Sequence, residues 1–192
     1  MIDPYFVFLG AALGMIGSSV YAWRTLQGRA SPNRVTFFLW SAAPLIGFLA
    51  QLDEGVGLPS VLTLAIGVGP ALVFLASFFG RAAPWRLTAF DLGCGAVSVV
   101  ALIIWLSMDN PTVAVIFAVL ADLLGGIPTI RKAWRAPQTE DWRFFALSGT
   151  NGAITLLTIT SWDVATWSFP VYITVVGYGI ALIVLLRRPA LR

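Results

Sequence analysis

Residues 120–142 read LADLLGGIPTIRKAWRAPQTEDW, an apolar run that carries a carboxylate, Asp122, then Gly125, Gly126 and Pro128, before it breaks into Arg131, Lys132 and Arg135. An acid and a proline inside such a run mean one thing in water and another in lipid, so the surrounding composition decides the reading. The chain has 192 residues, 58% of them hydrophobic and 11% charged, with a mean hydropathy of +0.86. A soluble domain of this size cannot bury that much apolar surface, which places the chain in a bilayer. Its net charge of +3 does not indicate nucleic acid, because the basic residues stand in short groups between apolar runs, as membrane proteins place them.

A helix needs about 20 apolar residues to cross the hydrocarbon core. Segments near that length recur at 5–24, 36–52, 58–80, 87–107, 111–130, 144–160 and 166–186. The first of these ends near SVYA at 19–22, which resembles a cleavage site. The stretch before it lacks the basic start of a signal peptide and offers only Asp3, so it is read as a mature first helix. The charges between spans then alternate in sign. Arg24, Arg29 and Arg34 follow the first span, Arg81 and Arg86 the third, Arg131, Lys132, Arg135 and Arg143 the fifth, and Arg187, Arg188 and Arg192 the seventh. The other side carries Asp3, Asp53, Glu54, Asp109 and Asp163 with no lysine or arginine. Seven crossings with the N-terminus outside and the C-terminus cytoplasmic satisfy the positive-inside rule. Trp23, Trp85, Trp134, Trp142 and Trp162 stand near span ends, where an indole faces both lipid and water.

An ungapped register pairs Arg24 with Arg131, Phe37-Phe38 with Phe144-Phe145, Ser41 with Ser148 and Leu75 with Leu182. It lays spans one to three over spans five to seven and leaves the fourth unpaired. The expected fold is therefore an all-α integral membrane protein in a 3+1+3 arrangement. Residues 1–81 and 110–192 form two parallel three-helix bundles, and 82–109 hold the linker helix.

With IPTIRKAWRAPQTED at 127–141, this arrangement resembles the PQ-loop and SWEET superfamily. That family's signature is a proline at the cytoplasmic end of a bundle's first helix, then a basic helix end and a polar turn. Pro128, Arg131 with Lys132, and Gln138 to Asp141 stand at the matching positions. The chain is also similar to small bacterial membrane proteins with P-N-R-V and I-P-T-x-x-K segments. Thr129 replaces the family's glutamine, the first repeat has Tyr21-Ala22 in place of the Pro-Gln pair, and the third-helix asparagine of sugar carriers has no counterpart. The resemblance implies a carrier of small solutes, and these departures count against a sugar.

At 1.5 Å per residue Asp122 lies roughly 13 Å above Arg131, near the midplane. An ionised carboxylate facing lipid there costs about 2.5–3.5 kcal/mol on insertion scales, so Asp122 should face the bundle interior, hold a proton or meet a cation. Asn151 above Arg143 and Tyr178 above Arg187 share that depth, which suggests a midplane site with one polar side chain from each helix of the second bundle. Each could equally serve as a helix-to-helix hydrogen bond. Trp40 either stacks on a substrate or packs in the core, and Trp105 is read the same way. Gly125 and Gly126 allow close helix approach. Pro44 and Pro128 are the expected bend points, for gating or for simple kinking. Asp91 is expected to pair with a nearby arginine.

The reading is a membrane transporter of a small polar solute by alternating access, with Asp122 for proton coupling and Asp122, Asn151, Tyr178 and Trp40 for binding. The alternative is a non-transporting receptor or assembly factor on a similar fold. The chain has no histidine and one cysteine, Cys94. No histidine-based catalytic set or metal cluster can be assembled from it, so neither an enzyme nor a metal or other cofactor is expected. Lys132 stands at a helix end, which excludes a retinal Schiff base. The expected partners are membrane lipid and a small-molecule substrate, not nucleic acid. A homo-oligomer is left open, and the expected location is a bacterial inner membrane.

Overall fold

A computed structural model describes residues 2–53, 59–81, 84–107, 111–160, 162 and 164–190. Glu54, Asp109, Asp163 and Arg192, which entered the charge argument, lie outside them. Seven α-helices follow one another: α1 Phe6–Leu26, α2 Arg34–Asp53, α3 Pro59–Phe79, α4 Ala89–Leu106, α5 Pro111–Arg135, α6 Trp142–Thr158 and α7 Val164–Ala190, with a short 3-10 turn at Pro137–Thr139 between α5 and α6. Among the described residues, Phe6–Leu26, Ala89–Leu106 and Thr166–Arg188 are long and apolar enough to cross a membrane, and Arg34–Ile46 and Thr63–Phe79 are shorter apolar stretches.

Local chemistry fixes the helix ends. Gly28, with φ 76°, turns the chain out of α1 in a left-handed conformation that costs glycine little. α4 begins at a reciprocal capping box, in which the Thr88 hydroxyl accepts from the Asp91 backbone N–H while Asp91 accepts from the Thr88 N–H at 2.6 Å. This satisfies two donors that every helix start leaves unpaired. Asp141 caps α6 by accepting from the Arg143 N–H at 3.0 Å. α5 runs through Pro128 to Arg135, five residues past the expected end of the fifth span.

Within the described residues, α3 packs against both α1 and α2, while the backbones of α1 and α2 stay apart and meet only through side chains such as Tyr21 and Phe37. Likewise α7 packs against both α5 and α6, which do not touch each other. Across the molecule α1 meets α6 and α2 meets α5. Exchanging helices one, two and three with five, six and seven leaves this neighbour pattern unchanged, and α4 lies outside it against α5 and α2.

Close backbone approach makes the seams. A Cβ on Gly17 of α1 would stand 3.3 Å from the Phe144 Cα of α6, and one on Gly125 of α5 would stand 2.9 Å from the Leu39 side chain of α2. Small residues at such crossings let helices pack where lipid supplies no hydrophobic drive. On α7, Tyr172, Gly177, Ile180, Ala181 and Val184 are buried, while Val175, Tyr178, Leu182, Leu185 and Leu186 are exposed. Both sets recur at helical spacing, so one stripe is core and the opposite stripe an apolar outer face. α4 exposes Leu92, Val97, Val100, Ile103 and Leu106 in the same manner. An outer surface this apolar fits a lipid solvent.

Candidate functional site

At the centre of the helices lies a cavity of about 80 Å³, room for a few water molecules or a small solute. Every helix except α4 lines it: Gly14 and Ser18 from α1, Trp40 and Pro44 from α2, Ile66 and Pro70 from α3, Asp122 from α5, Ser148 and Asn151 from α6, and Phe169, Tyr172 and Ile173 from α7. Its walls are mainly apolar with a few convergent polar groups, the usual make-up of a small-molecule site.

Asp122 is buried, at 8% exposure. Trp40 orients the wall beside it, the indole N–H donating to the Asp122 backbone carbonyl at 3.2 Å. The hydroxyl of Ser98 donates in turn to the Ala121 carbonyl, so two consecutive carbonyls of α5, about two turns before Pro128, have partners from other helices. The Tyr172 hydroxyl neighbours the Asp122 carboxyl. Neither that hydroxyl nor Asn151 Oδ1 has an aligned hydrogen-bond partner, although both are buried. Asn151 stands over α1, where a Cβ on Gly10 would come within 2.4 Å of Oδ1. The cavity thus combines one carboxyl, one amide oxygen and one phenol in an apolar surround. A buried polar atom without a partner is costly, and a solute or water reaching Asn151 Oδ1 would satisfy it.

Of the residues expected from the sequence, Asp122, Asn151, Trp40 and Pro44 line the cavity together. Pro128 is buried in α5 but does not line it. Tyr178 lies elsewhere: it is 44% exposed on the outer face of α7 and its hydroxyl is 3.0 Å from Thr150 Oγ1. Depth along a helix fixes height but not rotation about the axis, and Tyr178 is turned about 100° from Gly177, which faces inward. Tyr172 supplies the phenol instead. The signal for it was in the sequence, since Phe169, Tyr172, Ile173, Val176 and Gly177 fall on one helical face.

Towards the basic ends of the helices the cavity closes on aromatic rings. Tyr21, Phe37, Phe144 and Phe145 pack edge-to-face or tilted, with Tyr21 and Phe37 centroids 5.2 Å apart. Beneath them is a buried polar knot. Lys132 Nζ lies 2.6 Å from Glu140 Oε1 and also donates to the Ser31 carbonyl. The Tyr21 hydroxyl donates to Glu140 Oε2, and Arg24 pairs with Asp141 at 3.1 Å. Arg188 donates to the Pro137 and Glu140 carbonyls.

Two expectations about charges are corrected here. Lys132 is not an interfacial charge like its neighbours but is 1% exposed. Among the described residues Asp91 pairs with no arginine: it serves the α4 capping box and accepts from Asn33 Nδ2 at 3.2 Å, because its position at the third residue of the helix points it back to the helix start. No family model, curated protein or solved structure matches the chain.

Proposed function

We propose that the protein is a membrane transporter of a small polar solute working by alternating access, and that the central cavity is its binding site. The observation that carries this reading is the meeting of Asp122, Asn151 and Tyr172 in one cavity lined by six helices, with Asn151 Oδ1 buried and without a partner and the Tyr172 hydroxyl beside the Asp122 carboxyl. A structural hydrogen-bond network would satisfy its own members. In this reading Asp122 accepts a proton or faces a cationic group, Asn151 and Tyr172 take up the polar groups of the solute, and Trp40 forms an apolar wall.

The accompanying topology is seven spans in a 3+1+3 order of the PQ-loop and SWEET kind, N-terminus outside, in a bacterial inner membrane. The exchangeable neighbour pattern of the helices supports that order. In the proposed cycle Pro44 and Pro128 are the bend points. The knot of Lys132, Glu140, Tyr21, Arg24 and Asp141 joins α1 and the α1–α2 loop to the end of α5 and the start of α6. It must part for the basic end to open. The same knot also suits the second reading, a receptor or assembly factor that holds a ligand without moving it, because a seal of buried ion pairs needs no opening.

Uptake into proteoliposomes under an imposed pH gradient separates the two. A carrier accumulates a small polar solute, and Asp122→Asn or Asn151→Ala reduces that uptake. Absence of uptake across amines, amino acids and polyols, with binding retained, would sink transport and favour the receptor.

A further inference from the structure

At the basic end of the molecule a second concavity, a groove of about 580 Å³, opens between the α1–α2 loop, the segment that leads into α4 and the 3-10 turn. Its volume is in the range of small-molecule sites. Arg29 from the α1–α2 loop and Arg86 from the segment before α4 both line it, as do Trp85 and Gln138. Among the described residues no carboxylate lines the groove. The nearest acids by sequence, Glu140 and Asp141, are fully buried and already paired with Lys132, Tyr21 and Arg24. Arg29 and Arg86 make no ion pair among the described residues. The Trp85 indole N–H is buried with no hydrogen-bond partner, and the face of its ring lies 5.1 Å from Lys132 Nζ, which holds the side chain against the knot below.

We propose that this groove binds a phosphate group of net negative charge, with the Arg29 and Arg86 guanidiniums as its charged groups and the Gln138 amide as a neutral donor. Two guanidiniums presenting forked N–H donors suit phosphate oxygens better than a single point charge does. A basic recess at the cytoplasmic end of a membrane protein meets that chemistry in two forms, the headgroup of an anionic lipid and a free phosphate ester. Occupancy does not depend on whether the central cavity carries a solute.

The test is thermal unfolding of the full chain in neutral detergent, with phosphatidylglycerol, phosphatidylcholine or glycerol 1-phosphate added. A ligand that binds only the folded state raises Tm with concentration. Phosphatidylglycerol should raise Tm by several degrees more than phosphatidylcholine. The rise should vanish in Arg29→Gln/Arg86→Gln and persist in Arg131→Gln, whose guanidinium stacks on Phe90 and does not line the groove. A response to glycerol 1-phosphate that needs the same arginines assigns the site to soluble phosphate esters, and a response to the lipid alone assigns it to the membrane. A Tm rise equal in wild type and the double variant overturns the proposal, as does the absence of any rise with either phosphate compound.

Discussion

Lys132 Nζ stands 2.6 Å from Glu140 Oε1 although neither side chain has exposed surface. Removing one member of such a pair strands the other, at a cost of about 3–5 kcal/mol, whereas replacing both by apolar groups is often close to neutral. Lys132→Met and Glu140→Leu should therefore each lower stability strongly, and Lys132→Met/Glu140→Leu should lose less than the two single losses combined. Thermal or denaturant unfolding in detergent gives the comparison. Additive losses would show that the two side chains act separately.

Tyr172 and Tyr178 lie on the same helix with opposite surroundings, one lining the cavity and one on the outer face. Tyr172→Phe should weaken solute uptake or binding. Tyr178→Phe loses only its contact with Thr150, worth about 0.5–1.5 kcal/mol, and should leave uptake unchanged. Equal effects on uptake would contradict the assignment.

Gly177 and Gly179 offer a paired test of packing. A Cβ on Gly177 would lie 2.6 Å from the Gly149 backbone nitrogen and 2.7 Å from the Phe145 carbonyl oxygen, while one on Gly179 meets nothing within 4 Å. Gly177→Ala should lose about 1–3 kcal/mol by overpacking. Gly179→Ala should be neutral or gain up to about 1 kcal/mol from helix propensity. Unfolding midpoints of the two variants read the difference.

Thr88 closes the capping box of α4. Thr88→Ala should cost about 1 kcal/mol and speed amide exchange in the first turn of α4, leaving its far end protected. Uniform loss of protection along the helix would mean that the cap holds more than its own turn.

The positions of the helices were legible because apolar run length and the breaks between runs are local properties. Predicted spans and observed helices agree to within a few residues except where α5 continues past its apolar part, carried on by the buried Lys132 and Ala133. Asp122 and Asn151 were legible as cavity residues because polar groups amid apolar sequence have few other places to go. Tyr178 lies on the outer face because depth along a helix fixes height and not rotation about the axis. The face shared by Tyr172 and Gly177 carried the missing angle. The roles of Lys132, Glu140 and Asp141 were hidden for another reason: their partners Tyr21, Ser31 and Arg24 are distant in the sequence, and such pairs leave no local pattern.

The main chains of α6 and α7 touch at Gly149 and Gly177 with no side chain between them. Helices in such contact pack as closely as their backbones allow. In the proposed transport cycle a cross-link across the α2–α5 boundary should arrest uptake, where one between α6 and α7 should go unnoticed.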